Sequence, residues 1–171
     1  MKTINEYLKL KGVKQKLFIA PKDKSELIKI IEDRIESEGP NCDLNDIDVS
    51  NIKSMAALFF KSKFNGDISE WDVSNVTDMD SMFMDSKFNG DISKWNVSNV
   101  KNMQFMFTNS SFNQDISKWD VSKVENMQFM FDNTPFKQNI SKWNPISLKR
   151  NIMMFLHCPL EKNPPKWYKL V

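Results

Sequence analysis

His157 and Cys158 are the adjacent pair in this chain whose side chains could serve as base and nucleophile, a chemistry that also needs a third group to orient the imidazole. Neighbouring residues rarely aim both side chains at one point, and no orienting group is evident. No catalytic residue is therefore expected, and the chain does not read as an enzyme. His157 is the single histidine, which excludes a multi-histidine metal cluster. Four glycines leave neither a dinucleotide fingerprint nor a phosphate-cradling loop. The Asn-Gly-Asp stretches resemble calcium loops only poorly, because glycine precedes aspartate and no Glu closes the loop. The series Asn65, Asn89, Asn113 and the series Asp67, Asp91, Asp115, Asn139 are instead expected to satisfy backbone groups at tight turns. No metal, cofactor or small-molecule substrate is expected.

The elements behind these residues repeat. Phe64, Phe88, Phe112 and Phe136 are 24 residues apart, as are Trp71, Trp95, Trp119 and Trp143. The same frame runs back to residue 40 and forward to residue 159, giving five copies with the first and last least regular. Within a copy, Ile68, Trp71, Val73 and Val76 read as the apolar skeleton of a short strand, with Asp72 pointing outward. Met79, Met82 and Phe83, at i, i+3 and i+4, read as one face of a short helix. Ser54, Asp78, Asn102 and Asn126 stand where its N-cap would be, a series broken by Arg150.

The runs FNGDISEWDVSNVTDM, FNGDISKWNVSNVKNM and FNQDISKWDVSKVENM, each closed by MF, resemble the BspA-like leucine-rich-repeat proteins of bacteria over about residues 40–159. The resemblance implies a solenoid used for binding, often as a surface adhesin, and no catalytic residue. The expected fold is an α+β repeat, a short leucine-rich-repeat-like solenoid of about five 24-residue coils with a helical N-terminal cap. Residues 1–39 are the capping segment, 40–159 the solenoid and 160–171 a C-terminal capping tail. In the cap, Asp23 and Glu26 form a capping pair before a helix over about 24–37, with Leu27, Ile30, Ile31 and Ile35 on one face. A first short helix around Ile4–Leu10 and a strand at Leu17–Ile19 are also expected.

With 171 residues, 40% hydrophobic and 27% charged, the chain holds one domain and has no apolar run long enough to cross a membrane. Met1–Pro21 has no apolar h-region, so the expected location is cytoplasmic. Cys42 and Cys158, nearly five coils apart at ~4.8 Å per strand neighbour, are too distant for a disulfide, and two free thiols are expected. Residues 40–135 hold eight Lys/Arg against fourteen Asp/Glu, whereas 136–171 hold seven against Glu161 alone. That distribution disfavours nucleic acid except at the basic C-terminal end.

Two contact faces are expected. One is a convex ladder of Phe105, Phe129 and Met153, at the position held by Ala57 and Ser81 in earlier copies. The other is the sheet face, with Glu70, Lys94, Lys118 and Lys142 in one column and Asp72, Asn96, Asp120 and Asn144 in the next. The functional expectation is a non-catalytic protein-binding module inside the cell. It would act as an adaptor or as an inhibitor of a larger complex, such as a phage or mobile-element protein blocking a host defence nuclease. The alternative is a bacterial surface adhesin or host-interaction protein.

Overall fold

A computed structural model describes residues 18–171. The expected Ile4–Leu10 helix and the first residue of the expected Leu17–Ile19 strand lie outside the described residues. Among the described residues one helix forms, α1, Lys24–Glu38. Its start follows from Asp23, whose carboxylate accepts the Glu26 N–H at 2.9 Å, while Glu26 reaches back to the Lys22 N–H at 2.8 Å. It stops at Gly39, whose φ of 91° no side-chain-bearing residue adopts easily and whose N–H closes on the Ile35 carbonyl. Leu27 and Ile31 are buried, and Ile30 and Ile35 pack partly against the core.

The α+β leucine-rich-repeat-like solenoid is not what forms. Among the described residues there is a single helix, outside the repeats, and no extended strand; β pairing is limited to isolated one-residue parallel bridges. The expected short helices are missing for a backbone reason. Ser81 (φ 55°) and Asp85 (φ 58°) are left-handed, as are their equivalents in the other copies, and a right-handed helix cannot pass through such residues. The N–H groups of Met79, Ser81, Phe83 and Asp85 leave their own copy, donating at 2.8–2.9 Å to the carbonyls of Asn102, Gln104, Met106 and Thr108. Ser54, Asp78, Asn102 and Asn126 are accordingly not helix caps. They bridge one another in parallel, and the last three accept the N–H two residues on in Asx turns. The expected strand at Trp71–Val73 is replaced by turns, with Trp71 N–H bonded to the Ile68 carbonyl and Val76 N–H to that of Val73.

Inward and outward positions nevertheless follow the 24-residue frame. Ile68, Trp71, Val73, Val76, Met79, Met82 and Phe83 and their counterparts are buried, except Pro145 and Leu148 of the last copy, which are half-buried, and Asp72 is exposed. Equivalent rings face one another: Phe59, Phe83, Phe107, Phe131 and Phe155 at 5.4–5.9 Å, and Phe64, Phe88, Phe112 and Phe136 at 6.1–6.3 Å. Each Trp indole N–H donates to a carbonyl 27 residues earlier, from Trp71 to Leu44 at 2.9 Å through Trp143 to Ile116 at 3.1 Å. Trp167 extends this column, donating to Ile140 at 2.8 Å and stacking on Trp143 at 6.0 Å. Its signal in the sequence was the same 24-residue offset.

Polar side chains finish the two ends. Arg34 of α1 pairs with Asp46 at 2.9 Å and donates to the Asp43 carbonyl, and the Lys24 ammonium donates to the Ala56 carbonyl. At the other end Asn151, in the register of core residues Met79, Met103 and Met127, is fully buried. Its amide group holds the backbone of Lys169 and Val171 at 2.6 and 3.1 Å.

Candidate interaction surface

Phe105, Phe129 and Met153 sit at the first left-handed position of their copies, with φ of 53°, 55° and 55°, where Ala57 and Ser81 stand earlier. A bulky side chain there is an outlier costing ~1–3 kcal/mol, tolerated only where the surroundings fix the backbone. Here the fixing is done by Phe105 N–H on the Gln128 carbonyl at 2.9 Å and Phe129 N–H on that of Ile152 at 3.1 Å. The left-handed turn carries the side chains outside the Met/Met/Phe core. The Phe105 and Phe129 rings are half-buried and stack at 5.0 Å and 15°. Met153 continues the line at 48% exposure, and Ile152 beside it is 46% exposed. These residues form one apolar ridge.

The second set of expected contact residues is not on a sheet, because there is none among the described residues. Glu70, Lys94, Lys118 and Lys142, with Asp72, Asn96, Asp120 and Asn144, are all exposed but lie on successive turns. The side-chain oxygens of Asp72, Asn96 and Asp120 are engaged by the N–H groups of Ser74, Ser98 and Ser122 at 3.0–3.2 Å. The Ser122 hydroxyl and N–H hold the Asp120 carboxyl below its ordinary range. Lys94 approaches Glu70 at 3.6 Å with both side chains mostly in solvent, a pair of small energetic weight.

The Asn-Gly-Asp turns divide their labour. Asn65, Asn89 and Asn113 accept the N–H of residues 89, 113 and 137 in the next copy at 2.7–3.0 Å. Asp67, Asp91, Asp115 and Asn139 accept the N–H two residues on within their own copy. No group of three His, Cys, Asp or Glu side chains placed to hold a metal occurs among the described residues. His157 and Cys158 diverge. The exposed imidazole meets Asp132 at 3.2 Å, while Cys158 is buried and desolvation pushes its thiol pKa up. Cys42 is likewise free and buried.

A family model described as Mycoplasma protein of unknown function, DUF285, matches residues 31–143 and again residues 108–167. The chain belongs to that family. The two overlapping matches fall on a chain whose copies are alike, so this DUF285 member is a repeat protein, and the second match takes in Trp167. Comparison with curated proteins and with solved structures gave no match. No helix among the described residues is long and apolar enough to cross a membrane.

Proposed function

We propose that this DUF285 protein is a non-catalytic binding module for another protein, and that it engages its partner through the ridge of Phe105, Phe129 and Met153. One observation carries the reading. Two stacked phenylalanines stand half outside the core at a strained left-handed position that alanine and serine fill in earlier copies. Strain kept where a small residue suffices is a reason to look for a contact, and aromatic anchors beside other exposed apolar residues suit a protein partner. The finer setting belongs to the same proposal: an intracellular adaptor, or an inhibitor of a larger complex such as a host defence nuclease. The motif's likeness to BspA-like bacterial proteins favours the second reading, a surface adhesin, and cell fractionation separates the two.

Replacing Phe105 and Phe129 by Ser together tests the ridge. Ser81 shows that the fold accepts serine there, so the melting temperature should stay close to the parent's. Recovery of a stoichiometric partner from source-cell lysate should fall with a loss of ~2 kcal/mol or more in affinity. If the variant melts far lower, the two rings are core and there is no ridge. If charge reversal at Lys94, Lys118 and Lys142 abolishes recovery in a salt-dependent way while the serine variant still binds, the turn columns are the contact instead.

A further inference from the structure

The repeat register carries past the last copy into the tail, because Trp167 stands 48 residues after Trp119 and keeps the indole bond of its column. Hollows along the stack can therefore be compared position by position. One of about 250 Å³ is walled by Asp91, Ser93, Gln114, Asp115 and Lys118. Another, of about 580 Å³, opens between residues 137–141 of the last copy and residues 160–166 of the tail. At the 48-residue offset, Asp91, Ser93, Asp115 and Lys118 become Asn139, Ser141, Asn163 and Lys166, and all four line the larger hollow. Both acids have become amides and the lysine is kept. Lys137 is added where the three earlier copies have Asn65, Asn89 and Asn113.

Turn geometry does not ask for these exchanges. Asn139 accepts the Ser141 N–H at 3.0 Å, as Asp67, Asp91 and Asp115 accept theirs at 2.8–2.9 Å, so an aspartate would serve the turn at least as well. Asn163 has no such bond to make, because residue 165 is a proline without an N–H. Position 137 needs no asparagine, since the Glu161 N–H turns to the Cys158 carbonyl at 3.0 Å, but that release does not call for a lysine. Lys137 and Lys166 enter no ion pair among the described residues. Glu161, the single acid of residues 136–171, is outside the lining, and its carboxylate takes the His157 N–H at 2.9 Å. The hollow thus gathers two ammonium groups, two amides and a hydroxyl with no negative charge, beside an apolar side of Leu160, Pro164 and Pro165.

We propose that this hollow binds a small organic phosphate monoester. Such a group carries about two negative charges at neutral pH and accepts hydrogen bonds at three oxygens, which suits paired lysines backed by amide and hydroxyl donors. The carbon part of the ligand lies against Leu160 and the two prolines, and the volume falls within the roughly 300–1,000 Å³ common to small-molecule sites. The site shares no residue with the ridge and stands or falls apart from it.

The test is a titration of the ¹⁵N-labelled full chain with adenosine monophosphate, with adenosine, with a capped phosphoserine tripeptide and with a short DNA duplex. The amide signals of residues 137–141 and the side-chain amides of Asn139 and Asn163 should shift saturably with adenosine monophosphate. Adenosine should leave them still, and the tripeptide and the duplex should bind more weakly. The double variant Asn139→Asp, Asn163→Asp restores the two acids that the earlier hollow accommodates. It should keep the parent's melting temperature and bind adenosine monophosphate at least about tenfold more weakly. If that variant melts lower, Lys137→Asn, which carries the residue of the three earlier copies, decides in its place and should also weaken binding. Silent amides, an equal response to adenosine, tighter binding of the tripeptide or the duplex, or full-strength binding by the deciding variant would each overturn the proposal.

Discussion

Phe105 and Trp119 show how far one residue's role depends on where its backbone sends it. Both are aromatic, yet Phe105 is turned outward by a φ of 53°, whereas Trp119 is 4% exposed and donates its indole N–H to the Ile92 carbonyl at 3.1 Å. The burial of the tryptophans was legible from their spacing. The hydrogen bond was not, because its acceptor lies 27 residues away and has no sequence signature. Trp119→Phe keeps most of the apolar area and removes this bond, and should lower stability by ~1–3 kcal/mol in denaturant unfolding. Trp119→Ala should cost ~3–5 kcal/mol, because a cavity is added to the lost bond. A Trp119→Phe variant as stable as the parent would show that the indole N–H contributes nothing beyond packing.

Among the elements, α1 was readable to within a residue because its signals are local: a capping aspartate, a glutamate three residues on and a terminal glycine. The turns of the repeats were readable only in their punctuation. Gly66 illustrates the difference. A Cβ there would stand 1.9 Å from the Cys42 carbonyl oxygen, a backbone atom of the preceding copy that has no room to move. At Gly90 the nearest atoms are the Phe88 ring at 2.8 Å and the Gly66 carbonyl at 3.2 Å, and the equivalent positions 114 and 138 are glutamines. Gly66→Ala should therefore destabilise by ~2 kcal/mol or more, and Gly90→Ala by clearly less, as compared by thermal melts of the two variants. The reverse order would mean that the first junction yields more readily than its geometry indicates.

For the whole molecule, acid is the condition that acts on several copies at once. The carboxyls of Asp91 and Asp115 are held below their ordinary range by the N–H groups of Ser93 and Ser117, and those of Asp48 and Asp120 by the hydroxyls and N–H groups of Ser50 and Ser122. A carboxyl whose folded pKa is depressed contributes stability that is fully present above its unfolded value of ~3.9 and is lost as pH falls through the lower folded value. The melting temperature should thus change little between about pH 7 and pH 5 and decline below about pH 4. A steep loss already between pH 7 and pH 5 would show that these carboxyls are not what governs stability in acid.

The sequence by itself determined which side chains are buried outside the degraded last copy, because a 24-residue period places Ile68, Trp71, Val73, Val76, Met79, Met82 and Phe83 and their counterparts on the inside whatever the backbone does between them. It also determined the turn residues, since Asn and Asp at fixed offsets have few other uses. Only the tertiary structure decided the class of backbone. Spacing at i, i+3 and i+4 states which residues share a face, and both a helical turn and a run of turns through left-handed residues satisfy it. The choice rests on where the N–H groups of Met79, Ser81, Phe83 and Asp85 find carbonyls. They find them 23 residues along the chain, in the neighbouring copy, rather than four residues back. The same long-range bonding runs out at the final copy, where the N–H groups of Met153 and Phe155 have no such partner among the described residues.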